Sequence, residues 1–124
     1  MHQRREFGDQ AEEIASNYLK TKGYQIIERN YWKPWGELDI IAKKDDVMVF
    51  VEVKANAKDF GEGFNPEVRA DQVKMNKVIR TATLYLGNRL GGLDGEWRVD
   101  VISVTMDTDK AKLTHFKNVA EALF

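Results

Sequence analysis

Three residues near the middle of the chain carry its clearest chemistry. Asp39 lies in Gly36-Glu37-Leu38-Asp39-Ile40-Ile41, and Glu52 and Lys54 lie in Val49-Phe50-Val51-Glu52-Val53-Lys54. Between these β-rich runs, Lys43-Lys44-Asp45-Asp46 reads as the turn of a hairpin. Side chains alternate faces along a strand, so Glu52 and Lys54 share a face with Met48 and Phe50, while Val47, Val49, Val51 and Val53 share the other. A two-residue turn at Asp45-Asp46 sets Asp39 opposite Glu52, and a four-residue loop sets it opposite Phe50. Either register leaves Asp39 on the face of Glu52 and Lys54, provided no β-bulge intervenes. Facing side chains lie about 4.5 to 5.5 Å apart at Cβ, close enough for two carboxylates to share one cation. Asp39 and Glu52 are hard oxygen ligands suited to Mg²⁺ or Mn²⁺, and the Val53 carbonyl is a further candidate ligand. Lys54 stands where it can orient a water or offset negative charge developing on a phosphoryl group. The competing reading is a structural ion pair of Lys54 with Asp39 or Glu52. The apolar neighbours Ile41, Met48 and Phe50 are unlike a solvated strand face and favour a site.

The elements that must position these groups can be read from periodicity. Phe7, Ala11, Ile14, Ala15, Tyr18 and Leu19 recur at intervals of three and four, predicting a helix over Glu6–Lys22 stopped by Gly23. Glu12 lies at the margin of that apolar stripe and points toward the sheet, a fourth candidate catalytic residue, whereas Glu13 falls on the wet face. A strand is expected at Tyr24–Arg29, then an aromatic-rich connection over Asn30–Gly36, then the hairpin strands Glu37–Ala42 and Val47–Lys54. A glycine-containing loop, Ala55–Asn65, leads into a helix beginning at Pro66 and ending before Gly91-Gly92. Trp97–Thr105 and Ala111–Lys117 read as strands around a turn at Met106–Lys110, with a short terminal helix over Asn118–Phe124. This order implies an α/β domain with a central mixed β-sheet flanked by helices. Trp32, Lys33 and Trp35 interleave rings and a cation just before the Asp39 strand, and with Lys58 and Lys74 they are the candidate nucleic-acid contacts. A structural alternative is that the rings cap the sheet edge. His2 and His115 receive no role.

The 124 residues leave room for one domain, 1–124. With 19 Lys plus Arg against 20 Asp plus Glu, the net charge of −1 gives no global attraction to polyanions, so any nucleic acid must be held locally. The absence of cysteine excludes disulfides, thiolate metal sites and cysteine nucleophiles. The charged stretch Met1–Gly8 lacks the apolar run of a signal peptide and no segment is long and apolar enough to span a bilayer, which points to the cytoplasm and to no membrane partner.

Taken together, Gly8-x-x-Ala11-Glu12, Tyr18-Leu19, Gly23-Tyr24, Arg29-Asn30, Gly36 to Ala42, Val49 to Lys54, Phe60-Gly61, Lys74 and Ala82-x-x-Tyr85-Leu86 resemble the bacterial YraN family across nearly the whole chain. That family is similar to the restriction endonuclease-like superfamily with the PD-(D/E)xK motif, and within it to Holliday junction resolvases. The resemblance implies a restriction endonuclease-like fold with an αβββαβ core. It also implies acidic metal ligands at Asp39 and Glu52, the motif lysine at Lys54 and the first-helix glutamate at Glu12. The motif's proline is displaced to Pro34. The expected function is a Mg²⁺- or Mn²⁺-dependent nuclease acting on DNA, with branched or structured DNA and a homodimer implied by the resolvase likeness. The alternative is a non-catalytic nucleic-acid-binding or assembly module that keeps the nuclease fold, or a structural partner protein docking through Trp32 and Trp35.

Overall fold

The computed structural model describes residues 2–57, 72–87, 95–107 and 110–120. The expected connection around Lys58, the start of the second helix at Pro66, the Gly91-Gly92 loop and the end of the terminal helix lie outside them. The elements run α1 (His2–Thr21), β1 (Gln25–Lys33), β2 (Gly36–Lys44), β3 (Val47–Ala57), α2 (Gln72–Gly87), β4 (Trp97–Met106) and β5 (Ala111–Phe116). They form one five-stranded mixed sheet in the order β1-β2-β3-β4-β5. All neighbours are antiparallel except β3 and β4, which are parallel and joined through α2. This α/β architecture is compatible with a restriction endonuclease-like fold, and its first six elements follow the expected αβββαβ order.

Local chemistry explains the punctuation. Helix α1 ends where Gly23 adopts φ 92°. The Tyr24 N–H then reaches the Leu19 carbonyl at 2.9 Å and the Gly23 N–H the Lys20 carbonyl at 3.1 Å, closing the last turn in the manner of a Schellman cap. Between β2 and β3, Asp45 and Asp46 both take left-handed φ values of 52° and 66°. Those values suit a two-residue hairpin turn, and the pairs Lys44↔Val47 through Ile40↔Val51 confirm that register.

The sheet buries both faces. Ala11, Ala15 and Leu19 of α1 pack on Ile40, Ala42, Val49, Val51, Ile102 and Val104. Met75, Val78, Ala82, Tyr85 and Leu86 of α2 pack on Leu38, Ile41, Phe50, Val99 and Val101. Coverage on both sides suits the parallel pair at the centre.

Two expectations need correction. The stretch Asn30–Lys33, read as a connection, continues β1, and only Pro34 and Trp35 turn the chain before Lys33↔Gly36 pairing resumes. Strand β3 likewise runs past Lys54 to Ala57, because β4 supplies partners along its whole length. A β-bulge does occur, but in β1 between Ile26 and Glu28 rather than in the hairpin that carries the motif.

Within β1, Asn30 takes a left-handed φ of 55°, and strand alternation breaks there. Arg29 reaches Glu13 of α1 at 2.8 Å, whereas Tyr31, two positions on, packs edge-on against Tyr85 of α2. The partner strand breaks step with it: Ile40 belongs to the α1 core and Leu38 to the α2 core. Asn30 and Asp39 sit opposite each other at this crossover, as the pairs Arg29↔Ile40 and Tyr31↔Leu38 require.

His115, given no role from sequence, belongs to a buried polar clamp. The fully buried Asp100 carboxylate accepts hydrogen bonds from Arg98 Nε at 2.9 Å and the Asn118 N–H at 2.9 Å, and pairs with His115 Nε2 at 2.7 Å. His115 Nδ1 meets the Tyr18 hydroxyl at 3.0 Å, and Arg98 donates to the Tyr24 hydroxyl at 2.8 Å. The clamp joins α1, β4 and β5. Burial works against the Asp100 charge, but the His115, Asn118 and Arg98 hydrogen bonds outweigh it and hold the carboxyl below its ordinary value. A depressed carboxyl adds stability above its unfolded value of 3.8 and loses it as pH falls through the lower folded value. Asp100→Asn should therefore cost about 3 kcal/mol at pH 7. In thermal unfolding followed across pH, the gap from the parent chain should begin to narrow below about pH 4 and close only as pH falls through the lower folded value.

Gly36 sits against α2 so closely that a Cβ there would collide with Oγ1 of the buried Thr81. Gly36→Ala should destabilise by about 1–3 kcal/mol. Adding Thr81→Ala should recover part of that loss in a double-mutant unfolding cycle, since both changes act on one contact.

Candidate functional site

The ladder between β2 and β3 ends at Ile40↔Val51. Beyond it the Asp39 carboxylate, turned sideways by the crossover, accepts the Val53 N–H at 2.9 Å and takes the place of a backbone partner. A strand residue presents its N–H and C=O on the same side, so the Val53 carbonyl faces the same opening. The register is the one that sets Asp39 opposite Glu52, yet Asp39 lies in the gap between strands rather than flat on the Glu52 face.

Glu52 extends the α2 face of β3, is 5% exposed, and pairs with Lys74 Nζ at 3.6 Å. Burial, and next the Asp39 charge, push the Glu52 carboxyl up to about 8. Burial likewise raises Asp39, opposed by the Val53 N–H and the Lys74 and Lys54 charges. Lys54, on the same face of β3, is pushed below the usual lysine range by burial and by its hydrogen bond with Lys74. Lys74 moves up despite burial, because Glu52, Lys54 and Asp39 all favour its ammonium. The ion pair with Glu52 that the competing reading gave to Lys54 is thus made by Lys74 of α2, while Lys54 hydrogen-bonds with Lys74.

Glu12 approaches from the opposite side of the sheet. Burial and the Asp39 charge raise its carboxyl to about 7, partly offset by Arg29 and by a hydrogen bond from Asn30. Its Oε1 is buried without a hydrogen-bond partner. Asp39 is therefore the hinge of the cluster, in electrostatic contact with Glu52, Lys54 and Lys74 on one side and Glu12 on the other. Among the described residues no group of three or more His, Asp or Glu side chains is arranged to hold a metal ion. The donor set offered is two side-chain carboxylates, Asp39 and Glu52, with the Val53 carbonyl beside them. That sparse, all-oxygen set fits Mg²⁺ or Mn²⁺, which retain water and take substrate oxygens.

Of this cluster Glu52 and Lys74 line a cleft of about 360 Å³, together with Trp32, Lys33, Pro34, Trp35, Gly36, Glu37, Lys77 and Val78, whereas Glu12, Asp39 and Lys54 do not line it. The β1–β2 turn forms one wall and α2 the other. Four of the five candidate nucleic-acid contacts, Trp32, Lys33, Trp35 and Lys74, line it, and Lys58 lies outside the described residues. Asn30 was not foreseen as a working residue. The signal available was an asparagine, a residue that tolerates left-handed backbone, within a run now seen to be a strand. Among the described residues no helix is long and apolar enough to cross a membrane.

Comparison with known proteins follows the same residues. Residues 11–104 match the profile described as uncharacterised protein family UPF0102. A UPF0102 protein of Campylobacter hominis is 35% identical over 114 residues, covering 92% of this chain and 93% of the relative. One from Fervidobacterium nodosum is 39% identical over 88% of this chain and 77% of its own length. One from Thermotoga neapolitana reaches 44% over 77% of this chain and 83% of the relative. The matched span runs from the Glu12 helix through the motif hairpin to the centre of the sheet. On that span and those identities, the chain belongs to the UPF0102 family, the YraN family of its sequence motifs.

Proposed function

We propose that this protein is a divalent-cation-dependent nuclease that hydrolyses phosphodiester bonds in nucleic acid, with DNA as the expected substrate. The observation that carries the reading is the Asp39–Glu52 carboxylate pair, held largely buried where β2 parts from β3, with Glu52 lining a cleft that Lys33, Lys74 and Lys77 also line. Two desolvated carboxylates, both raised by burial and one of them, Glu52, raised further by the charge of the other, are costly to keep in a fold for stability alone. Sites that work on phosphates gather such groups for the cation they can share. Asp39, Glu52 and the Val53 carbonyl would hold Mg²⁺ or Mn²⁺, which when bound polarises the phosphoryl group and acidifies a water.

The protein's own groups divide the remaining work. The Val53 N–H fixes the Asp39 carboxylate in the gap, so the ligand needs little reorganisation. Lys74 neutralises Glu52 while the site is at rest and sits at the cleft wall, where its charge offsets that gathering on the phosphoryl oxygens. Lys54 would orient the attacking water through its ammonium or offset the negative charge developing on the phosphoryl group. Glu12, behind the sheet, adjusts the charge of Asp39 from the α1 side.

With labelled single-stranded, duplex and four-way-junction DNA, the protein should cut in Mg²⁺ or Mn²⁺ and not in a chelator. Glu52→Gln and Lys54→Ala, checked for folding by circular dichroism, should each lose at least ~100-fold in rate. DNA that shifts in a gel but stays intact under every cation would replace the nuclease with the non-catalytic binding module.

Cation binding has a readout independent of cleavage. Millimolar Mg²⁺ or Mn²⁺ should raise the unfolding temperature of the parent chain by binding the folded state alone. The same addition should leave Asp39→Asn and Glu52→Gln unmoved. An equal rise in the parent and both variants would remove the cation from this site.

A further inference from the structure

Resting on the nucleic-acid reading of the cleft, we infer that the β1–β2 turn is a stacking wall for unpaired nucleotides. Trp32 and Trp35 on it select a single-stranded stretch over continuous duplex as the strand delivered to the carboxylates. Trp32 is 66% and Trp35 44% exposed. Other rings of the structure are spent on one another: Tyr31 and Phe50 meet Tyr85 edge-on, and Trp97 meets Phe50. Two indoles left in water beside a cleft offer π-faces that any base can stack on.

The wall is also rigid. Trp32 is held in the ladder opposite Glu37, and the turn between Lys33 and Gly36 is two residues long with Pro34 in it. Gly36 is seated directly on Thr81 of α2. The backbone that carries the rings is thereby fixed relative to α2, which brings Lys74 to Glu52 at the other side of the cleft. Rigid aromatic surface captures a ligand with little loss of conformational freedom.

Charge argues against duplex as the ligand. The cleft offers Lys33, Lys74 and Lys77 against Glu37 and Glu52, and Lys74 is already paired with Glu52. A protein that grips duplex through phosphates typically makes about 6–10 such contacts, and this chain has a net charge of −1. A volume of about 360 Å³ is in the range that takes a small ligand such as one splayed nucleotide. Stacking must then supply the affinity that charge does not, with Lys33 and Lys77 guiding the backbone past the rings.

The test is binding in chelator, where cleavage plays no part. The probes are a twelve-nucleotide oligo(dT), an oligo(U) of the same length, and the dA·dT duplex, read by intrinsic tryptophan fluorescence. Trp97 is half-buried, so the signal reports chiefly on Trp32 and Trp35. Oligo(dT) or oligo(U) should quench the emission and bind at least ~10-fold tighter than duplex, the stronger of the two naming the sugar. Trp32→Ala/Trp35→Ala, with both changes on exposed positions and folding checked by circular dichroism, should lose that preference, read by anisotropy of labelled strands. Lys33→Ala should weaken single strand and duplex alike and flatten the salt dependence. Duplex bound as tightly as single strand, or single-strand affinity unchanged in the double variant, overturns the stacking wall. Cleavage of duplex by a chain that fails this binding test keeps the nuclease and removes the wall; ring-dependent single-strand binding without cleavage keeps the wall and removes the nuclease.

Discussion

One hydrogen bond organises the centre of this molecule: the Val53 N–H donated to the Asp39 carboxylate. A buried strand must satisfy its backbone groups, and where β2 ceases to pair with β3 the ladder would leave a donor stranded. Asp39 fills that place with a side chain. The strands can then part without an orphaned amide, and the opening they make is lined by a carboxylate instead of a main-chain bond. The crossover at Asn30 makes this possible, because its left-handed backbone rotates the pair of strands between the two helical layers and aims Asp39 sideways.

The rest of the fold holds that opening in place. On one face α1 packs on a largely aliphatic surface that includes the buried Tyr24, and the Asp100 clamp ties Tyr18, His115 and Arg98 together across α1, β4 and β5. On the other face α2 brings Lys74 to Glu52 and Thr81 to Gly36, so a single helix sets the rest charge of the site and the position of the aromatic turn. Two clusters of buried charge result, and they differ in kind. Asp100 is saturated by three donors and its carboxyl lies below the ordinary value, as expected of a structural anion. Glu52 has a single ion pair, with Lys74 at 3.6 Å, and a neighbouring carboxylate, and burial and that carboxylate push its carboxyl up to about 8.

The cleft joins unlike surfaces: the buried Glu52 carboxylate, the lysines Lys33, Lys74 and Lys77, and the two exposed indoles of Trp32 and Trp35. Such mixed chemistry does not help a domain of this size to fold, since exposed apolar area and the desolvation of a buried ion pair both subtract from a small net stability. Its concentration along one side of α2 and one β-turn is what connects the proposed chemistry with the proposed substrate.

Much of this was legible in the residues themselves. The period of α1, the hairpin at Lys43–Asp46 and the αβββαβ order follow from local patterning, because side-chain period and turn chemistry are properties of neighbouring residues, whereas only the left-handed pair Asp45-Asp46 in the structure chose the register that opposes Asp39 to Glu52 over the one that opposes it to Phe50. Family membership was likewise carried by the order of short motifs. The extent of β1 was not legible, since Asn30-Tyr31-Trp32-Lys33 has weak alternation and becomes strand only because β2 offers it a ladder. Nor was the sideways turn of Asp39, which depends on a backbone crossover in a different strand. The choice of Lys74 over Lys54 as the partner of Glu52, and the burial of His115 against Asp100, were decided by the packing of elements distant in the chain. Sequence determined which groups are available and which face of its own element each occupies; tertiary structure decided which of them meet, because burial and electrostatic partnership are set across elements and not along them.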